Sequence, residues 1–598
     1  MRMFFSSIAL VGGILAASAA QGEPAATRRA EVQAAFDQAE RGQLTLAEVA
    51  RLQSHPLAGW LEVLVRERDV RGIGSDQLGD ILEGLGPQPA ATRLRQAWLR
   101  RAAAEGRWSD YLAHDREGGD VTLQCFSLQA KLATNAVDAA WVQAATGLWL
   151  SADSQPAACD PVFTALAQRG ELTPALRWQR IELAARAGNT GLMRAAARQL
   201  PEAELALIRD YAAFIDAPHA RAGQWPKNER SRAMAEIGLS RLARRDAGAA
   251  ERAMASNASL LPASSREHGA VRAAIALWTA ANFGAESARR LAAVPDAAFD
   301  EALHGWAVRE ALARGDRAAA LKAIERMPAA LRANAQWAYF EGRLREDLGD
   351  AAAAVPLFAA AAKSPTFHGF LAADRAGTPY ALQARWYDRA IFGMPANPEA
   401  LQYYTLRFPL HHESLIRREA RKNGLEPSLV AALTRAESAF MPDARSPANA
   451  RGLMQLLPST AEGVSRRLGL PWQGADSLYR PEVNVPLGTA YLAQRIGDNG
   501  GLAYRAIAAY NAGQGAVQRW MAARPSLPAD YWIETIPFRE TREYVPRVLA
   551  FSVIYDWRLD GRTRSLTDRL EGRDDDNPRR FACPTAPAAA TAAAPIAR

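Results

Sequence analysis

Cysteine is nearly absent from this chain: three residues, Cys125, Cys159 and Cys583, among 598. So few cannot staple a polypeptide of this length, which excludes a disulfide-framework protein and leaves buried apolar cores to hold the fold. Long apolar runs are missing as well. Phe4 to Ala16 is a short one, too short to cross a bilayer well, and no later stretch is long enough. No cysteine follows that run directly, so no lipid-type membrane anchor is expected at a processed N-terminus. Dense Lys/Arg tracts interleaved with aromatic residues are also absent, so nucleic acid is not an expected partner. The pair His411-His412 lacks a third ligand at suitable spacing, and no metal or other cofactor is expected.

What is present describes an exported, helical protein. The length exceeds what one core supports, so two or more domains are expected. Stretches rich in Ala, Leu and Arg predict helix. The 72 basic and 64 acidic residues leave a net charge of +8, a mild excess compatible with an anionic polymer. Arg2, the apolar run, and Ala17-Ser18-Ala19 or Ser18-Ala19-Ala20 read as a signal peptide over residues 1–20, with the mature chain starting near Ala20 or Gln21 and located in the periplasm. Export permits disulfides. Cys125 and Cys159 lie 34 residues apart in the helical N-terminal part and are either bonded or two buried thiols; Cys583 is left over in the tail.

From Arg28 to about Ala376 the pattern repeats helix, short turn, helix. Turns fall at Gly188-Asn189, Gly315-Asp316 and Gly349-Asp350, the last two 34 residues apart, with Asp246 about two repeat lengths before Asp316. In each, glycine ends one helix and Asn or Asp caps the next. Stacked hairpins of this kind build a superhelix, and such arrays often bind partners on their concave face. Residues 574–598 carry an Asp run and then an Ala/Pro/Thr-rich tail, a composition expected to be disordered.

The chemistry concentrates in Leu425 to Pro458. Pro427 suits the first turn of a helix, and Leu429, Val430, Leu433, Ala436 and Phe440 recur at helical spacing. Glu437 follows Leu433 by four positions and Val430 by seven, so it shares their apolar face near the helix C-terminus. Burial and the helix dipole both disfavour its charged form, as a general acid requires. The alternative is a structural ion pair with Arg435, Arg445 or Arg451. After the turn at Ser446-Pro447, Gly452 permits close backbone approach. Gln455 is the lone polar side chain of an apolar run, there to cap a backbone group or to contact a ligand. Ser438 has no histidine in its motif and reads as a helix-end hydrogen bonder.

Three ordered motifs, Glu437-Ser438-Ala439-Phe440, Gly452-Leu453-Met454-Gln455 with Pro458, and Ala509-Tyr510-Asn511-Ala512-Gly513, resemble those of the soluble lytic transglycosylase family. His55-Pro56-Leu57, Trp98-Leu99 with Gly106-Arg107-Trp108, and Phe367 to Gly377 are similar to the superhelical part of the same family. The resemblance implies an all-α fold: an α-superhelical, ring-like domain (28–376), a shortened linker (377–408), and a lysozyme-like, mostly helical catalytic domain (409–560). It implies cleavage of the β-1,4 bond between MurNAc and GlcNAc in peptidoglycan glycan strands, with formation of 1,6-anhydroMurNAc and Glu437 as acid and then base. It also places Ser446, Met454, Gln455, Tyr510 and Glu540 at the substrate, with the Tyr510 phenol donating to Glu437 or to the N-acetyl group. Asn484 and Tyr544 read as supporting residues. Asn449 stands where a glycine is common, and Leu457 where methionine is frequent. The resemblance favours a Cys125–Cys159 bond and offers the superhelix to other cell-wall proteins. A lysozyme-type hydrolase and a non-catalytic helical scaffold are the alternative readings.

Overall fold

A computed structural model describes residues 25–55, 57–116, 119–381, 408–573 and 578–582. The expected signal peptide, most of the expected linker and Cys583 lie outside the described residues. The chain packs as two units, which meet in sequence between Gly238 and Leu239.

In the first unit, helix follows helix from Ala25–Glu40 onward. Its core includes Trp98, Tyr111 and Trp141, none with exposed surface. Each has its polar atom satisfied by a main-chain carbonyl: Trp98 by Ile73, Tyr111 by Leu123 and Trp141 by Leu128. Cys125, in the helix Val121–Ala133, is bonded to Cys159, which precedes the helix Asp160–Gln168. The hairpin Pro174–Ala187 and Thr190–Ala196 turns at Gly188, whose φ is 76°, and Asn189 caps the second helix by accepting from Leu192 N–H.

The second unit begins with the same device. Gly315 (φ 74°) and Gly349 (φ 88°) follow helices Glu301–Ala313 and Ala335–Asp347, while Asp316 and Asp350 cap Arg317–Glu325 and Ala351–Ala361. A left-handed residue costs glycine nothing, and the caps satisfy helix donors that would otherwise lack partners. These hairpins share one hydrophobic core with the helices that follow Phe408, running from Val308 to Leu570. Buried polar contacts reinforce the join: Asp530 accepts from Tyr339 and Arg343, and Glu534 from Arg309 and Gln336.

Pro546 does not interrupt the last long helix. It runs unbroken as Arg539–Asp560, so Glu540, Tyr544 and Arg547 share a face. Residues 578–582, placed by composition in a disordered tail, fold back. Phe581-Ala582 pairs in parallel with Tyr380-Ala381, and the Phe581 ring packs near Phe370, Tyr380 and Trp557. Backbone pairing and an aromatic socket, both supplied by distant segments, overcome the local composition.

Candidate active site

The helix Pro427–Ser438 buries Leu429, Val430 and Leu433 and carries Glu437 in its last turn. Two consecutive non-glycine residues, Ala439 (φ 53°) and Phe440 (φ 65°), then take left-handed conformations. Each costs about 1–3 kcal/mol and persists only where packing enforces it. Here Phe440 is buried, close to the ring of Tyr555, and Ser438 Oγ donates to Leu453 O at 2.7 Å, which fixes the helix end.

The following loop is held largely by its own backbone. Ser446 accepts from Ala450 N–H through its hydroxyl and donates its own N–H to Ala450 O. Asn449 is left-handed at φ 67°, and its side-chain oxygen accepts from both Arg445 and Arg451. Gly452 has φ 74°, and a Cβ there would meet Leu478 O at 2.0 Å. Asn484, with no exposed surface, accepts from Met454 N–H and donates to Arg451 O and Leu478 O. Gln455 donates through Nε2 to Ala444 O and Gly452 O, so its amide nitrogen caps the loop. The Met454 side chain is completely buried against Gly488. Its expected contact with substrate is therefore corrected: the residue contributes its carbonyl, which accepts from Tyr510 OH at 2.8 Å.

That last bond also corrects the partner of the acid. It is Tyr544, not Tyr510, whose hydroxyl donates to Glu437 Oε1, at 2.5 Å. Tyr510 is bound to the loop, beside the ring of Tyr491. The signal for Tyr544 was present in the sequence, four positions after Glu540, but it becomes readable only once Pro546 is known to lie inside the helix. Glu540 is exposed, and its carboxylate accepts from Asn511, which Thr541 orients from the other side.

Glu437 retains some exposed surface, yet its carboxyl sits deep enough for desolvation to push its pKa up to about 7. The Tyr544 bond and the Arg547 charge oppose that rise, and the Glu540 charge adds to it. Arg445 and Arg451 turn to Asn449 instead, and Arg435 lies over the Phe551 ring. Burial, with the negative charge of Glu437 next in importance, keeps both tyrosines protonated, so each remains a donor. A half-open carboxyl with a pKa near neutrality and a fixed phenol donor can both give and take a proton.

Residues 414–533 match the family described as Transglycosylase SLT domain, and residues 535–563 the Soluble lytic transglycosylase helical domain. The soluble lytic murein transglycosylase of Salmonella typhimurium is 27% identical, over 93% of this chain and 96% of that protein. The chain is a homologue of the soluble lytic transglycosylases. The solved 70 kDa soluble lytic transglycosylase of Escherichia coli superposes with a TM-score of 0.80 at 25% identity, over 92% of this chain and 99% of that one. An inactive glutamate-to-glutamine mutant of lytic transglycosylase Slt from Pseudomonas aeruginosa has a TM-score of 0.71 at 29% identity, over 91% and 99% of the two chains. The fold is accordingly all-α, superhelical and lysozyme-like, as the motifs imply.

Proposed function

We propose that this protein is a lytic transglycosylase of peptidoglycan in which Glu437 performs both proton transfers. The observation that carries the reading is the Glu437 carboxyl, pushed to a pKa of about 7 by burial and held by Tyr544. Neutral Glu437 gives its proton to the glycosidic oxygen as the bond from MurNAc C1 breaks, leaving GlcNAc with a free 4-hydroxyl. The carboxylate so formed, stabilised by the Tyr544 hydroxyl, takes the proton of the MurNAc 6-hydroxyl as that oxygen bonds to C1. The product is 1,6-anhydroMurNAc, and Glu437 is neutral again without water entering. Two-carboxylate glycosidases divide these roles; here Glu540, exposed and turned to Asn511, fits a binding role better than a base.

Ser446, Gln455, Tyr510 and Glu540 are inferred to line the sugar site, the first three on or against the loop that faces the acid. We further infer export to the periplasm by residues 1–20, a superhelical domain over 28–376 and a catalytic domain over 409–560. No helix among the described residues is long and apolar enough to cross a membrane.

Mass spectrometry of purified peptidoglycan after digestion tests the reading. Anhydro ends are expected from the wild type, whereas reducing MurNAc ends would identify a hydrolase. Glu437→Gln should lose activity by about 10²-fold or more, since general acid–base catalysis alone is worth about 10²–10⁴-fold.

A further inference from the structure

The first unit holds a group of buried basic residues that glycosidic cleavage does not use. A cavity of about 750 Å³ lies among residues of Trp149–Leu172 and Arg177–Gln199. Arg180 lines it and is only 4% exposed. Its guanidinium lies 4.2 Å from the centre of the Trp149 ring and 5.4 Å from that of Phe163, two rings set edge to face. The Nε of Arg180 and the indole Nε1 of Trp149 are both buried without a hydrogen-bond partner. Arg177, 7% exposed, also lines the cavity. It donates only to neutral oxygens, Ala196 O and Gln199 Oε1. Burial pushes both guanidiniums downward, and no carboxylate opposes it. The lining does include one carboxylate, Asp160, which is exposed.

A buried guanidinium without an anion is strongly unfavourable, and a buried N–H without an acceptor adds to the cost. Such groups are few in native proteins, and here two basic side chains border open space without a carboxylate partner. We propose that this cavity binds the carboxylate of a short peptide, with the guanidiniums of Arg180 and Arg177 as donors and the Trp149 and Phe163 rings as apolar wall. A lone inorganic anion would leave most of the cavity unused, whereas its volume falls within the range of sites for organic ligands. The ligand is a peptide stem carried by the glycan strand, an assignment that rests on the proposed function. Cys159, immediately before Asp160, ties this wall of the site to Cys125. The site lets the enzyme engage glycan through its peptides, apart from the sugar subsites around Glu437.

Isothermal titration of the full-length mature protein with an isolated acidic stem tripeptide tests this, with inorganic phosphate as the second probe. Saturable peptide binding is expected. Arg180→Met should weaken it at least tenfold. Arg177→Met, which removes the second guanidinium, should weaken it several-fold. Arg180→Met should also leave the melting temperature unchanged or raise it, because an unpaired buried charge is removed. No saturable binding, or undiminished binding in both variants, overturns the site. Phosphate binding as tight as that of the peptide overturns the peptide assignment. Should Arg180→Met fail to fold, Arg177→Met still decides. The free tripeptide contains no glycosidic bond, so failure here is separate from failure of the cleavage reading.

Discussion

At the scale of single residues, the site depends on one carboxyl whose proton affinity is set by its surroundings. Glu437 binds its proton more tightly when folded, with a pKa of about 7 against an ordinary value of 4.5. Between those values the folded state holds more protons than the unfolded state, so this group lowers stability as pH rises through the window. Glu437→Gln carries no such dependence. Its melting temperature should match the wild type near pH 5 and exceed it near pH 8; an equal difference at both would show that the carboxyl is not desolvated. Tyr544 lowers that pKa through its hydrogen bond. Tyr544→Phe should therefore move the alkaline limb of the activity profile upward. It should also slow turnover by roughly 10–100-fold, since a hydrogen bond to a charged group is worth ~1.5–3 kcal/mol. A slower enzyme with an unmoved profile would mean that Tyr544 acts only through packing.

At the scale of elements, the loop between Ala439 and Leu457 has little core of its own and depends on its anchors. Asn484 reaches it from the helix Pro481–Asp498 with three hydrogen bonds, two of them buried. Asn484→Ala takes the partner from Met454 N–H and Leu478 O, while Arg451 O keeps the Leu456 N–H, which should cost ~2–4 kcal/mol. Activity should fall with it even at temperatures where the variant stays folded, because Met454 O and Tyr510 are positioned through the same loop. Full activity at a lowered melting point would detach the loop from catalysis. In the first unit, the disulfide closes a loop across 34 residues. It should contribute ~3–4 kcal/mol on the loop-entropy account. Titration of the denatured, unreduced protein should find one free thiol, Cys583; three would exclude the bond.

At the scale of the whole molecule, the catalytic motifs share their hydrophobic core with helices that precede Phe408. The motifs themselves all lie after Phe408, which suggests a fragment starting near Thr405. Packing argues against that boundary. Asp530 and Glu534 are buried, and their partners Arg309, Gln336, Tyr339 and Arg343 all precede the cut. Removing one side of a buried charged pair costs about 3–5 kcal/mol. A fragment of residues 405–582 should therefore melt with little cooperativity by circular dichroism, while one of residues 246–582 should melt sharply. A cooperative transition in the shorter fragment would show that these pairs are dispensable.

Much of this was legible in the residues themselves. The phase of Glu437 against Val430 and Leu433, the Gly-Asn and Gly-Asp turns and the helix end at Ser438 follow from local rules of periodicity and capping, which act within a few positions. What the sequence could not decide depends on distant segments meeting. Tyr544, rather than Tyr510, reaches the acid because the long helix passes through Pro546 and packs along the helix Pro427–Ser438. Met454 faces inward because Gly488 leaves it room. Phe581 is ordered because Tyr380 offers a strand to pair with. The unpaired guanidinium of Arg180 is invisible in a helix that reads as ordinary, since burial is a property of the fold and not of the chain. Local periodicity determined where the acid would stand; only tertiary packing decided which hydroxyl would hold it and which charges would be left waiting for a ligand.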